Sequence, residues 1–324
     1  MLYQQCTLSN EVIALDESDG FKEVARRTLR NGMAPDSVAL SADGSELYFN
    51  AHNRLEYWTQ TWAEPRSAFY CCDAATLKIK WVIPLAGQTE HFAISPDKRY
   101  VYCAHYDRMF VTRVDTQTRE TYPIQIASLG GHKVRVSKDG SKVYVGSIVW
   151  ASLDEIDTAS AKFTRRLTFD QNVRPFALSH DGSTCYLQKS RFHGLHVVDL
   201  TKEDMEITRT VELPELPDHP APCEDRYPFT IDHGIEITPD EKYAVILVTT
   251  GHYVTILSYP DLEPVKHIPV GQQPSYLIVS KDSKTCYVSC RASDELYVID
   301  LESLDVREVV KIKGRYAQRI TADH

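Results

Sequence analysis

Seven side chains able to move protons or hold charge recur at one phase of this sequence: Asp36, Glu90, His132, Arg174, His233, Ser275 and Tyr316, each seven residues before a recurring aspartate. His91 adjoins Glu90 in the same set. An imidazole titrates near neutral pH, so His132 and His233 are candidate general bases and acids, with His91 and Glu90 in support. Tyr316 is a candidate proton donor. Arg174 suits a substrate carboxylate or other anion through a two-pronged hydrogen bond. Asp36, Ser275, His105 and Arg291 are the further candidate substrate contacts. His91, His132 and His233 could instead hold a divalent metal ion, which needs at least three ligands within about 2.0–2.2 Å of one point. No local metal motif such as His-Glu-x-x-His supports that use. A polar set of this kind is also what a scaffold with a wet channel mouth would carry.

The elements that must position these residues follow from the period. Asp43, Asp97, Asp139, Asp181, Asp240, Asp282 and Asp323 close a first turn, and Asp16, Asp73, Asp115, Asp157, Asp199 and Asp300 end a third strand-like run, with Tyr259 standing where one of that second set is due. Most steps are close to 42 residues, for example Asp97 to Asp139. Each period holds four short β-branched and aromatic runs separated by polar turns, as in residues 274–312. Four strands per period of about 40–45 residues is the signature of propeller blades. Seven such units predict an all-β, seven-bladed β-propeller of four-stranded antiparallel blades, one domain over residues 1–324. Asp323 and Asp16 belong to one unit if the chain ends are joined. The run 316–321 is therefore expected as the inner strand of a blade completed by residues 2–6, 11–15 and 23–29, closing the ring with a blade shared between the termini.

Ser41-Ala-Asp-Gly44 before Glu46-Leu-Tyr-Phe, Ser95-Pro-Asp97 before Tyr100-Val-Tyr, and Ser137-Lys-Asp-Gly140 before Val143-Tyr-Val resemble the YVTN repeat over essentially the whole chain. Pro35 and Pro274 keep a proline of that pattern, whereas Thr89, Gly131, Val173 and Asp232 depart from it. The resemblance implies a seven-bladed propeller and, by analogy with its lyases and lactonase-like hydrolases, elimination, hydrolysis or isomerisation. The Gly-His and Trp-Asp signatures of WD40 repeats are missing.

Inner strands line a propeller's axis, so the polar set is expected at the channel mouth. Two residues further in, Val38, Phe92, Val134, Phe176, Ile235, Leu277 and Gln318 form an almost wholly apolar layer. Two insertions, about 50–67 and 213–230, are expected on the same face, where sites are usually built. The first carries Tyr57, Trp58 and Trp62, which suit either a loop tacked onto its blade by one buried ring or a lid or oligomer contact. Cationic residues expected there include Arg54, Arg108, Lys133, Lys189, Arg191 and Arg226, with Lys133 pointing away from His132 by strand alternation.

Composition narrows the class. The 324 residues carry a formal charge of −9, against nucleic acid as partner. No apolar run suits a bilayer span, and no signal peptide is visible at the N-terminus. Eight cysteines without metal or redox spacing, several inside strand-like runs, read as buried hydrophobes of a cytoplasmic protein. Cys71 and Cys72 are expected to point to opposite faces of one strand. P-loop, Gly-x-Ser-x-Gly and dinucleotide fingerprints are absent. The sequence thus predicts an enzyme acting on a small anionic organic molecule by His/carboxylate acid–base or metal-assisted chemistry. Its competitor is a non-catalytic propeller binding a protein or ligand on the same face.

Overall fold

The computed structural model describes residues 1–30, 32–53, 66–220 and 231–322. Among them, twenty-eight strands form seven four-stranded antiparallel sheets, a seven-bladed all-β propeller fold. The chain divides into two compact units, residues 1–165 with 318–323, and residues 166–317. Arg54, Tyr57, Trp58, Trp62 and Arg226 of the two insertions lie outside the described residues.

In the first unit, β1 (Leu2–Cys6), β2 (Glu11–Asp16) and β3 (Lys22–Thr28) are completed by the C-terminal β28 (Ala317–Ala322), in the order β28-β1-β2-β3. The blade shared between the termini is therefore present. The next sheets are β4 (Met33–Leu40), β5 (Glu46–Asn53), β6 (Ser67–Asp73) and β7 (Ile79–Leu85); β8 (Thr89–Ile94), β9 (Tyr100–His105), β10 (Phe110–Asp115) and β11 (Thr121–Gln125); and β12 (Gly131–Val136), β13 (Lys142–Ser147), β14 (Ser152–Asp157) and β15 (Lys162–Thr168). The second unit holds β16 (Val173–Leu178), β17 (Thr184–Lys189), β18 (Gly194–Asp199) and β19 (Glu206–Glu212); β20 (Asp232–Ile237), β21 (Tyr243–Val248), β22 (Tyr253–Ser258) and β23 (Pro264–Pro269); and β24 (Pro274–Val279), β25 (Thr285–Cys290), β26 (Glu295–Asp300) and β27 (Asp305–Lys311).

Side chains alternate along a strand, so within a unit a middle strand can bury residues on both of its faces. Cys71 packs with Phe69, Phe92 and Cys103, whereas Cys72 packs with Val12, Leu47 and Phe49. The adjacent pair thus faces two different cores, as alternation requires. The described cysteines are buried, and burial pushes both the Cys71 and the Cys72 thiol up to about 12.

The recurring aspartate has a local cause. In the first turn Ser41 Oγ donates to Asp43 at 2.6 Å, the Ser45 amide donates to the same carboxylate, and the Glu46 amide donates to Ser41 Oγ. The same pattern recurs at Asp97, Asp139 and Asp181. These donors hold the Asp43 and Asp139 carboxyls down to about 2.

Each inner strand from β4 to β24 is bulged near its start, with register shifts at Pro35/Val38, Thr89/Phe92, Gly131/Lys133, Val173/Phe176, Asp232/Ile235 and Pro274/Tyr276. A bulge frees backbone groups from the ladder, and buried ones need other partners. Asn50 Oδ1 accepts from the Ser37 amide, while its Nδ2 donates to Thr89 Oγ1 and the Glu90 carbonyl. Gln188 Oε1 likewise accepts from the amide of Gly234. Gly234 has φ of 153°, and a Cβ there would meet Leu247 Cδ1 at 2.7 Å. Asn50→Leu should therefore cost about 1–3 kcal/mol, because it strands buried backbone groups. Urea unfolding checks this, and a loss below about 0.5 kcal/mol would show that other partners take over.

Candidate functional site

The bulges hold the residues that the sequence singles out. Asp36 and Ser37 lie opposite Asn50, Glu90 and His91 opposite Ala104, and His132 is the extra residue between the pairs Gly131–Ser147 and Lys133–Gly146. In the second unit the bulges hold Arg174, His233 and Ser275. A bulge inserts an unpaired residue and re-aims its side chain, a device common beside active sites. Lys133 is also buried, so strand alternation does not separate it from His132 by exposure.

Three of these residues come together in the first unit, around a fourth that the sequence reading missed. Arg319, on β28, is 2% exposed and its Nε donates to Asp36 Oδ1. Its Nη1 meets His91 Nδ1 at 3.0 Å. A guanidinium only donates, so His91 must present a lone pair at Nδ1 and carry its proton on Nε2. The His91 and His132 rings lie 4.6 Å apart between centroids. Asp36 Oδ2 is buried without a hydrogen-bond partner among the described residues. The cluster is thus a guanidinium, a carboxylate and two imidazoles from β28, β4, β8 and β12. In the sequence Arg319 is legible only as a charged residue inside a strand expected to be buried.

The second unit holds its own groups. The carbonyl of Ser275 accepts from His233 Nδ1 at 3.0 Å, which leaves the lone pair of His233 on Nε2. Arg174 Nε donates to Ser190 Oγ at 2.8 Å. Arg291 and Tyr316 pair with each other, the guanidinium carbon 5.2 Å from the ring centroid. Tyr316 precedes β28 at φ of 62° and its amide donates to Asp294. His105, in the first unit, does not join the bulge cluster. It is fully buried, its Nε2 pairs with Thr112 Oγ1 at 2.7 Å, and burial pushes its pKa down to about 4. Those are the properties of a core histidine.

A further buried relay lies in the second unit. His193 Nδ1 is 3.0 Å from Asp232 Oδ1, the Gly194 amide donates to Asp232 Oδ2 at 2.7 Å, and Tyr253 Oη is 3.1 Å from His193 Nε2. Burial pulls the His193 pKa down, but the hydrogen bond and charge of Asp232 outweigh it, and the net shift is upward. Burial raises the Asp232 carboxyl. Among the described residues, no group of three or more His, Cys, Asp or Glu side chains is arranged to hold a metal ion. No described helix is long and apolar enough to cross a membrane.

No protein-family model and no curated protein matches the sequence. Solved structures do match the fold. A Bacteroides fragilis protein provisionally assigned as a 6-phosphogluconolactonase has a TM-score of 0.74 at 13% identity, covering 99% of this chain and 97% of that one. Kuenenia stuttgartiensis hydrazine synthase has a TM-score of 0.70 at 20% identity, covering 90% and 89%. The dihydro-heme d1 dehydrogenase NirN has a TM-score of 0.64 at 17% identity, covering 96% of this chain and 63% of its own. At these identities the likeness is one of fold, and it places the chain among seven-bladed propellers.

Proposed function

We propose that this chain is an enzyme that performs imidazole and carboxylate acid–base chemistry on a small anionic organic molecule. The observation that carries the reading is the bulge cluster of the first unit, where Asp36, His91 and His132 share one buried group with Arg319. His132, as the extra residue of its bulge, is the general base or acid. Arg319 fixes the His91 tautomer, whose Nε2–H is a hydrogen-bond donor suited to an anionic oxygen. Asp36 Oδ2 is an acceptor for a substrate hydroxyl or a water. In the second unit, His233 with its lone pair on Nε2 and Arg174 braced by Ser190 are groups of the same kind.

Hydrolysis is the reaction to test first, because a protein of this fold is provisionally assigned as a lactonase. The probes are 6-phosphogluconolactone and a panel of carboxylate-bearing lactones and esters. His132→Asn should lower kcat at least about 100-fold while the unfolding midpoint is kept. Equal turnover by the variant would remove His132 from the chemistry. The near-complete burial of Arg319, Asp36 and His91 favours a second reading, a propeller that binds without reacting. That reading gains if the protein binds a panel member saturably but never exceeds the uncatalysed rate.

A further inference from the structure

Away from the bulge cluster, the sheet β8–β11 carries a surface recess of about 680 Å³ lined by Arg99, Tyr100, Arg113, Arg119 and Tyr122 among others. Arg113 sits between two rings, its guanidinium carbon 4.9 Å from the Tyr100 centroid and 5.4 Å from that of Tyr122. Arg119 lies 5.5 Å from the Trp81 centroid. Stacking on a ring holds a guanidinium by its face and leaves its N–H edges for a planar or tetrahedral anion. Neither guanidinium has a hydrogen-bond acceptor among the described residues. The two carboxylates of the recess are engaged elsewhere. Asp115 takes Arg99 and the turn amides of Gln117 and Thr118, and Glu120 takes Thr118 Oγ1 at 3.3 Å.

Comparison along the repeat shows that packing does not call for these arginines. Leu77, Ala161, Leu262 and Leu304 occupy the turn position equivalent to Arg119, all in the same left-handed backbone conformation, and Leu77 and Leu262 are buried there. Ser258, not Tyr259, pairs with Tyr243 as Asp115 pairs with Tyr100, and in that register the position of Arg113 is filled elsewhere by Ala14, Cys71, Glu155, Val197, Ile256 and Val298. The one other charge, Glu155, is matched by Arg165 and Lys142. At Arg113 rings stand in place of a counter-ion, in a chain whose formal charge is −9.

We propose that this recess is a binding site for small ligands carrying two or more phosphate or carboxylate charges, held by the edges of Arg113 and Arg119. Titration calorimetry on the full chain at low ionic strength, with inorganic pyrophosphate in one arm and citrate in the other, tests it. The expected result is saturable one-to-one binding in at least one arm, and the arm that binds assigns phosphate or carboxylate. Arg113→Gln and Arg119→Gln should each weaken it at least about tenfold, a loss in the range of a charge-assisted hydrogen bond. Arg113→Lys should weaken it similarly, because a point charge lacks the fork. Lys202→Gln, an equal charge change in the second unit, should leave it unaltered. Absence of saturation in both arms, full affinity in Arg113→Lys, or an equal loss in Lys202→Gln would each overturn the site.

Discussion

Replacing Arg319 with Met should destabilise the protein by about 3–5 kcal/mol, because it leaves the Asp36 carboxylate buried without its counter-ion. Asp36 is 3% exposed and Arg319 2%, so bulk solvent cannot replace the lost charge. The pair joins β28 to β4, and a Gln4 side chain on β1 also donates to the Arg319 carbonyl at 2.9 Å. The loss should therefore be seen first in β28. Hydrogen exchange should rise over Ala317–Ala322 before it rises in β12–β15. The double variant Arg319→Met/Asp36→Leu should recover much of the single variant's loss, since removing both charges of a buried pair is often close to neutral. Urea unfolding of the wild type, both singles and the double gives the coupling directly. A loss under about 1 kcal/mol for Arg319→Met, or additive singles, would mean the pair is not desolvated as the burial indicates.

The fold is legible in the sequence because its cause is local and repeated. Ser-x-Asp turns fix the first hairpin of most units through side chain to backbone hydrogen bonds, so the same spacing returns wherever the turn does. The split blade is legible for the same reason, from the position of Asp323 relative to Asp16. The candidate site is legible only in part. Counting seven residues back from each aspartate finds the bulge residues Asp36, Glu90, His132, Arg174, His233 and Ser275, but a strict two-residue alternation cannot say where a bulge sends them. Tyr316 is in phase with them by count and instead lies just before β28 in a left-handed conformation, paired with Arg291. The buried cation is Arg319, three residues on, which a count from the aspartates passes over. His105 is a rim residue by position in the repeat, yet strand β9 carries it into the core. Its partner Thr112 lies seven residues away on the next strand, a relation that the repeat does not encode.

The second large effect expected is at His193. His193→Ala should cost about 3–5 kcal/mol at about pH 6, because Asp232 is fully buried and, among the described residues, His193 is the side chain that pairs with it. The pH dependence has a definite sign. The His193 pKa is raised above its ordinary value of 6.5, so the folded state binds that proton more tightly than the unfolded chain. The stabilisation is complete below about 6.5 and is lost as pH rises through the higher folded value. Asp232 acts in the same direction at lower pH: burial raises its carboxyl from 3.8, so stability falls as pH rises from there through its folded value. The comparison to make is between the wild type and His193→Gln, which keeps a donor for Asp232 but cannot be protonated. Their stability difference should be largest below about pH 6.5 and should narrow toward about pH 9. Tyr253→Phe should leave that pH dependence largely in place, because Tyr253 Oη meets the far nitrogen of the ring and not the one facing Asp232. A difference that is flat across this range would show that His193 is neutral in the folded protein, and that Asp232 is stabilised by hydrogen bonds from His193 Nδ1 and the Gly194 amide alone.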